Sequence, residues 1–149
     1  MDEEKKHEKL IVGLADKIEV MGANGSAEVL AKFDTGARNN SIDHHLAGKV
    51  GVGPVVSSVT VSSASGHKSR PVVEVEIMVK GRRFKTKANL EDRSHMEYKV
   101  LIGRELIHSN FLIDVTKSHR GPRELSLKKK FSERVNMAPG EMNLRELDE

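Results

Sequence analysis

Two alternating, β-branched runs, Val55 to Ser62 and Pro71 to Val79, flank the small polar stretch Ser63-Ala64-Ser65-Gly66-His67-Lys68, and this pattern does most to limit the folds open to the chain. A period of two with Val, Thr and Ile at every other place fits a pleated strand with one buried face, and a cluster of Ser and Gly between such runs reads as a hairpin tip. Aromatic residues make up only 3% of the 149-residue chain and Trp is absent, so the core must rest on Val, Ile, Leu and Ala. That composition favours a small all-β architecture over a large aromatic core.

The rest of the chain extends the β reading. Leu10-Ile11-Val12-Gly13-Leu14 is the first strand candidate, Lys17 to Val20 the next, and the turn cluster Met21 to Ser26, with Asn24-Gly25 inside it, feeds a strand over Glu28 to Phe33. After Ser41-Ile42, the segment Asp43 to Lys49 suits a short helical turn, broken by Gly51-Val52-Gly53-Pro54. Beyond the hairpin, Lys80-Gly81-Arg82-Arg83 turns the chain into Phe84 to Leu90. A strand over Val100 to Arg104, a short helix over Glu105 to Ser109 and a last strand over Phe111 to Val115 follow. A hydrophobic fraction of 37% is low for a fully packed globule of this length, so some of the chain is expected to stay outside the core. We expect a charged tail over residues 1–8, a barrel domain over 9–118 and a polar tail over 119–149, with both ends flexible.

Within this frame, Asp34-Thr35-Gly36-Ala37 follows directly on the apolar stretch Val29-Leu30-Ala31-Lys32-Phe33. A carboxylate on a tight loop at a strand end suits acid–base chemistry. Two such groups about 3 Å apart share one proton, and the pair can both activate water and protonate a leaving amine, as in aspartic peptidases. Thr35 offers a hydroxyl to tie the loop down from behind, and Gly36 permits close approach. Far downstream, Val100-Leu101-Ile102-Gly103-Arg104 ends in a Gly where a floor strand would pass under that loop. Each feature also has a plain structural reading: Asp and Gly dominate ordinary turns, and Gly103 could serve strand packing alone. The chain holds no second Asp-Thr-Gly or Asp-Ser-Gly, so a complete dyad requires another copy of the chain across a two-fold axis.

Four ordered pieces carry a family resemblance. They are Ala31-Lys32-Phe33-Asp34-Thr35-Gly36-Ala37-Arg38-Asn39-Asn40-Ser41; Ser65-Gly66-His67 with Arg70-Pro71-Val72-Val73; Leu90-Glu91-Asp92-Arg93-Ser94-His95-Met96; and Leu101-Ile102-Gly103-Arg104 with Phe111-Leu112-Ile113-Asp114. From about Leu10 to Ser118 the chain resembles the retropepsin-like aspartic peptidase family of bacteria and archaea commonly labelled ATP-dependent zinc proteases, often found beside ATP-grasp glutamate ligases. The resemblance implies a retropepsin-like closed β-barrel with one short helix, a homodimer, Asp34 as water-activating residue with Thr35 and Gly36 beside it, and the hairpin around Ser63, Ser65 and Gly66 as a lid over substrate. Ala37, Arg38, Arg93, Gly103 and Arg104 are the further substrate-binding candidates. Arg93 and Arg104 could instead form structural ion pairs with Asp92, Asp114 or a Glu, Ser41 could cap a turn, and hairpin chemistry alone would account for Ser63, Ser65 and Gly66. The first strand lacks the Trp usual there, and Arg38 stands where an acidic residue commonly follows the viral Asp-Thr-Gly-Ala.

The zinc and ATP of that label find no support in the residues. His7-Glu8 has Ile11 where a His-Glu-x-x-His helix needs its second His; His44 and His45, being adjacent, should diverge on a regular element; and His67, His95, His108 and His119 are scattered. Gly51-Val52-Gly53 is followed by Pro54, with no Gly-Lys-Ser/Thr to cradle phosphates. No cofactor is therefore expected. The absence of Cys suits a reducing cytoplasm, and neither a signal peptide nor a membrane span is read. A net charge of +3 without an aromatic-interleaved basic stripe argues against nucleic acid. Arg38, Lys68, Arg70, Arg93 and Arg104 would flank the cleft and suit an acidic, glutamate-rich peptide. The rival expectations are a non-catalytic binding or assembly module on the same barrel, and a zinc-dependent peptidase.

Overall fold

The computed structural model describes residues 8–64 and 66–117. The expected N-terminal tail, apart from Glu8, and the polar C-terminal tail lie outside the described residues, as does Ser65. The elements run β1 (Leu10–Val12), β2 (Ala15–Gly22), β3 (Gly25–Phe33), β4 (Ser41–Asp43), α1 (His44–Val50), β5 (Val55–Ser63), β6 (Gly66–Val79), β7 (Arg82–Glu91), β8 (Val100–Ile102), α2 (Arg104–Ile107) and β9 (Phe111–Ile113).

Six strands close on themselves in the order β2-β3-β8-β4-β7-β6, and the ring is completed by β6 returning to β2 through Glu19↔Met78, Val20↔Ile77 and Met21↔Glu76. This is the closed retropepsin-like barrel implied by the resemblance. Closure matters because a free sheet edge exposes unpaired N–H and C=O groups, which a ring satisfies. β5 pairs only with the first half of β6, from Gly66 to Val73, and β1 and β9 form a separate parallel pair. The barrel fills with the aliphatic residues that composition demanded, among them Ile18, Val20, Ile42, Val73, Ile77 and Ile102. Three of the few aromatics cluster: Phe33 meets Phe111 edge-on with centroids 5.1 Å apart, and Phe84 lies 5.2 Å from Phe111. Such pairs add about 0.5–1.5 kcal/mol beyond area burial.

Local chemistry explains the turns. Lys80 and Gly81 both take positive φ, 49° and 83°, which is the geometry of a two-residue hairpin loop between the paired Val79 and Arg82. The β2–β3 hairpin is tighter than the six-residue cluster suggested, because Gly22 pairs directly with Gly25 and leaves only Ala23-Asn24 as loop. The first strand stops at Val12, two residues short of expectation, and the last stops at Ile113. Gly103 is outside its strand: β8 ends at Ile102, and α2 is a single turn beginning at Arg104. The anticipated helical turn is α1, capped by Asp43, whose Oδ2 accepts from the Leu46 N–H at 3.2 Å. It ends where Gly51 adopts φ 82° and donates to the Ala47 carbonyl. His44 and His45 do not diverge as adjacency suggested; their rings stack with centroids 4.1 Å apart.

Candidate active site

β3 delivers Asp34 to the mouth of the barrel. Pairing of Ala31, Lys32 and Phe33 with Val100, Leu101 and Ile102 of β8 puts the end of one strand beside the end of the other. The Asp34 N–H donates to the Ile102 carbonyl at 2.8 Å, one residue beyond the ladder. The chain then turns sharply: the Ala37 N–H returns to the Asp34 carbonyl at 3.1 Å, and the Gly36 N–H donates to Asp34 Oδ1 at 2.8 Å. The carboxylate is thus oriented by its own loop while remaining half-buried.

The floor of the loop is backbone against backbone. A Cβ on Gly103 would lie 2.4 Å from the Asn39 carbonyl oxygen and 2.9 Å from that of Ala37, distances no side chain can occupy. With no Cβ there, the Arg104 N–H donates to the Ala37 carbonyl at 2.8 Å and the Glu105 N–H to the Arg38 carbonyl at 3.0 Å. Arg104 also reaches up: its Nη1 donates to the Thr35 carbonyl at 2.9 Å. Thr35 was expected to tie the loop with its hydroxyl, but within one chain it is exposed and that hydroxyl has no hydrogen-bond partner among the described residues. The tie is made instead through the Thr35 carbonyl and through a residue the sequence reading passed over, Asn40.

Asn40 is 1% exposed and uses its whole amide. Oδ1 accepts from the Gly103 N–H at 2.9 Å, while Nδ2 donates to the Lys87 carbonyl at 2.9 Å and to Thr86 Oγ1 at 3.1 Å. Its backbone carbonyl accepts from the Asn89 N–H at 2.9 Å. One side chain therefore fastens loop, floor and β7 together, and a buried amide so satisfied costs little while any truncation strands several partners. The only sequence signal was a pair of amides, Asn39-Asn40, at the start of a buried three-residue strand.

Of the other candidates, Ala37, Arg38, Gly103 and Arg104 gather at the loop, Ser63 ends β5 and Gly66 opens β6 at φ 114°. Arg93 is elsewhere. It is buried, its backbone N–H donates to Asp43 Oδ1 at 2.8 Å, its Nε donates to the Tyr98 carbonyl at 2.8 Å, and its Nη1 lies 3.5 Å from Glu91 Oε1. Of the two readings its residue type allowed, the geometry matches the ion pair and not contact with substrate. Of the partners expected for such a pair, Asp92, Asp114 or a Glu, it is the Glu, Glu91, that the structure supplies. Arg70 likewise faces Glu91 at 3.6 Å, and Ser41 Oγ donates to Glu91 Oε1 at 2.6 Å. Of the five basic residues expected to flank a cleft, Arg70 and Arg93 are thus engaged with Glu91, and Arg104 with the Thr35 carbonyl.

Burial by itself would raise the pKa of Asp43, but the N–H donors of Arg93 and Leu46, with His44 and His45 nearby, bring it below the ordinary carboxylate value. Among the described residues no group of three or more His, Asp or Glu side chains could hold a metal ion, so a zinc site would find no donor set among them. No helix among them is long and apolar enough to cross a membrane.

No curated protein matches the chain in sequence. Among solved structures, the chain is similar to Lpg0085 of Legionella pneumophila subsp. pneumophila str. Philadelphia 1, a DUF785 protein of unknown function. That match has 22% identity over 74% of this chain and 97% of the other, and a TM-score of 0.51. It is also similar to EIAV protease complexed with the inhibitor HBY-793, with 18% identity, 62% and 83% coverage and a TM-score of 0.51. The foamy viral protease-reverse transcriptase in complex with an RNA/DNA hybrid matches at 16% identity over 82% of this chain and 15% of that one, with a TM-score of 0.50. These likenesses are of fold. The profile described as retropepsin-like aspartic endopeptidase RimB matches residues 44–124, a segment that begins after the Asp34 loop and covers more than half of the chain. The fold and that match agree, and the chain belongs to the RimB-like family of retropepsin-like aspartic endopeptidases.

Proposed function

We propose that this protein is an aspartic peptidase that works as a homodimer, with Asp34 of each copy forming one dyad. The observation that carries the reading is the built half-site: a carboxylate held by the Gly36 N–H at 2.8 Å, over a glycine floor that tolerates no Cβ. The Gly36 N–H occupies Oδ1 and leaves Oδ2 for a proton or a water. With one proton between the pair, the ionised carboxylate takes a proton from water as its oxygen bonds to the scissile carbonyl carbon. The protonated one gives its proton to the carbonyl oxygen. Collapse of that tetrahedral species breaks the C–N bond: the amine leaves with the proton the first carboxylate took from water, and a hydroxyl of the tetrahedral carbon returns its proton to the second, restoring the dyad. The β5–β6 hairpin, with its tip around Ser63 to Gly66, is the lid that excludes water during these steps.

The substrate on this reading is an extended peptide. Arg38, Lys68 and Arg104 are the remaining cations near the cleft and favour acidic, glutamate-rich sequences. A chain without cysteine is suited to a reducing cytoplasm. The test is Asp34→Asn: cleavage of glutamate-rich peptides should vanish while the dimer seen by sedimentation and the unfolding midpoint stay put. Unchanged hydrolysis, or a strict monomer that still cuts, rejects the proposal in favour of a different catalyst. A wild type that dimerises, binds peptide and never cleaves supports a non-catalytic module.

A further inference from the structure

The outer β5–β6 hairpin, mostly exposed along its length, is tied down at its base and through one side chain. At the base the ladder slips: Val55 pairs with Val73 and Ser57 with Val72, which leaves Val56 over as a bulge in β5, while the Glu74 N–H donates to the Pro54 carbonyl at 3.1 Å. A bulge interrupts the ladder and bends its strand, so this is where the arm can pivot. Toward the Asp34 loop, a cavity of about 210 Å³ lies between Ser57, Ser58 and Val59 of the arm and Asn39 and Glu105 beyond the loop, where packing would otherwise hold the arm in place. Among the described residues, one ion pair joins the arm to the barrel. Arg70, opposite Val59 in the ladder, holds its Nη2 3.6 Å from Glu91 Oε2 at the end of β7.

That pair is loose on one side and secure on the other. At 3.6 Å it is a contact of charges and not a hydrogen bond, and Arg70 Nε is buried there with no hydrogen-bond partner, a cost that swinging out into water would relieve. Breaking a buried pair is expensive when it leaves a charge alone. Glu91 is not left alone: Ser41 Oγ donates to its Oε1 at 2.6 Å, and Arg93 Nη1 stays 3.5 Å away, its guanidinium fixed through Nε to the Tyr98 carbonyl. Glu91 is therefore compensated with the arm down or up, and Arg70 is the member free to leave. Resting on the peptidase reading above, we propose that Arg70 is the latch of the lid: paired with Glu91 it sets the hairpin over the cleft, and released it lets the arm swing on the Val56 bulge to admit peptide and discharge product. It is a positioning residue, acting through the hairpin and not on the substrate.

The experiment uses the full-length protein and amide hydrogen exchange read by mass spectrometry, with kcat/KM on a glutamate-rich peptide beside it. Arg70→Met should raise exchange over residues 57–69 by about three- to ten-fold while β3 and β8 exchange as in wild type. Because the contact is one of charge and not of guanidinium geometry, Arg70→Lys should stay near wild type. On peptide, Arg70→Met should lower kcat/KM by about three-fold or more, since closure completes the site. Should Arg70→Met not fold by circular dichroism, Arg70→Gln decides by the same criteria. The inference is overturned if exchange in the hairpin does not change, if it rises equally in β3 and β8, if Arg70→Lys loosens the hairpin as far as Arg70→Met, or if a loosened hairpin leaves kcat/KM as it was. Exchange needs no turnover, so the two ideas separate. A hairpin loosened by Arg70→Met in a protein whose wild type never cleaves defeats the peptidase reading alone, and cleavage over a hairpin that Arg70→Met leaves untouched defeats the latch alone.

Discussion

The Asp34 loop and the outer half of the β5–β6 hairpin are built on opposite plans. Around the loop, local bonds shape the turn while partners distant in sequence fasten it: Gly103 by Asn40, Ala37 by Arg104, Arg38 by Glu105. The hairpin from Val55 to Arg70 is held by its own cross-strand ladder, and its side chains are mostly exposed, from Gly66 to Ser69 without exception. Only from Val73 onward does β6 bury alternate residues in the barrel. Segments with little apolar burial open locally at low free energy, whereas the proposed dyad needs a carboxylate that does not wander. On the proposed peptidase reading, a fixed loop and a lightly anchored hairpin are what closure around a substrate would require.

The sharpest way to break this contrast is at the carboxylate. Asp34→Asn should lower kcat/KM by about 10²–10⁴-fold with no change in denaturant midpoint, read in a peptide cleavage assay beside urea melts. Gly103→Ala should destabilise by about 3 kcal/mol, because its Cβ would overlap the Asn39 carbonyl and neither backbone can yield cheaply. Urea denaturation measures it, and a midpoint unchanged from wild type would refute the floor argument. Asn40→Ala strands the Gly103 N–H and the Lys87 carbonyl, at about 2 kcal/mol, and should depress activity beyond the stability loss.

Acid titration tests a different support. Asp43, on balance of burial against its N–H donors, and Asp92 and Asp114, through the hydroxyl and N–H of Ser94 and Thr116, titrate below their ordinary value in the folded protein. Groups depressed by folding stabilise above the unfolded pKa and lose that contribution as pH falls through the folded one. Thermal midpoints should therefore hold from neutrality to about pH 5 and decline below about pH 4. Asp43→Asn should flatten part of that decline, and a slope equal to wild type would remove Asp43 from the account. At the lightly held end, Ser62→Ala deletes the exposed 2.8 Å contact with His67 Nδ1 and should shift stability by less than about 0.5 kcal/mol.

Much of the fold was legible because it is local. Alternation marked β5 and the inner half of β6, Asn24-Gly25 and Lys80-Gly81 marked turns between strands, and the run from Asp43 to Lys49, broken from Gly51, marked α1, in which Asp43 proves to be the cap. The Asp34 loop and the Gly103 floor were legible for the same reason, since a strand end, a short acid and a glycine state their chemistry where they stand. Three-residue β4 was not, because Ser41-Ile42-Asp43 is too short to show a period. Its place is set by parallel pairing to β7 and antiparallel pairing to β8.

The same division runs through the site. Residue types alone decided that this chain forms strands, turns at particular glycines and presents one carboxylate, since backbone preference and turn chemistry act over a few neighbours. Barrel closure decided the rest: that Asn40 is the buried fastener, and that Arg93 is turned inward, with its N–H on Asp43 of β4 and its guanidinium on Glu91 and the Tyr98 carbonyl. Those roles depend on which groups lose water together and who is then within hydrogen-bond reach, and partners 46 to 63 residues apart meet only once the ring of strands has closed.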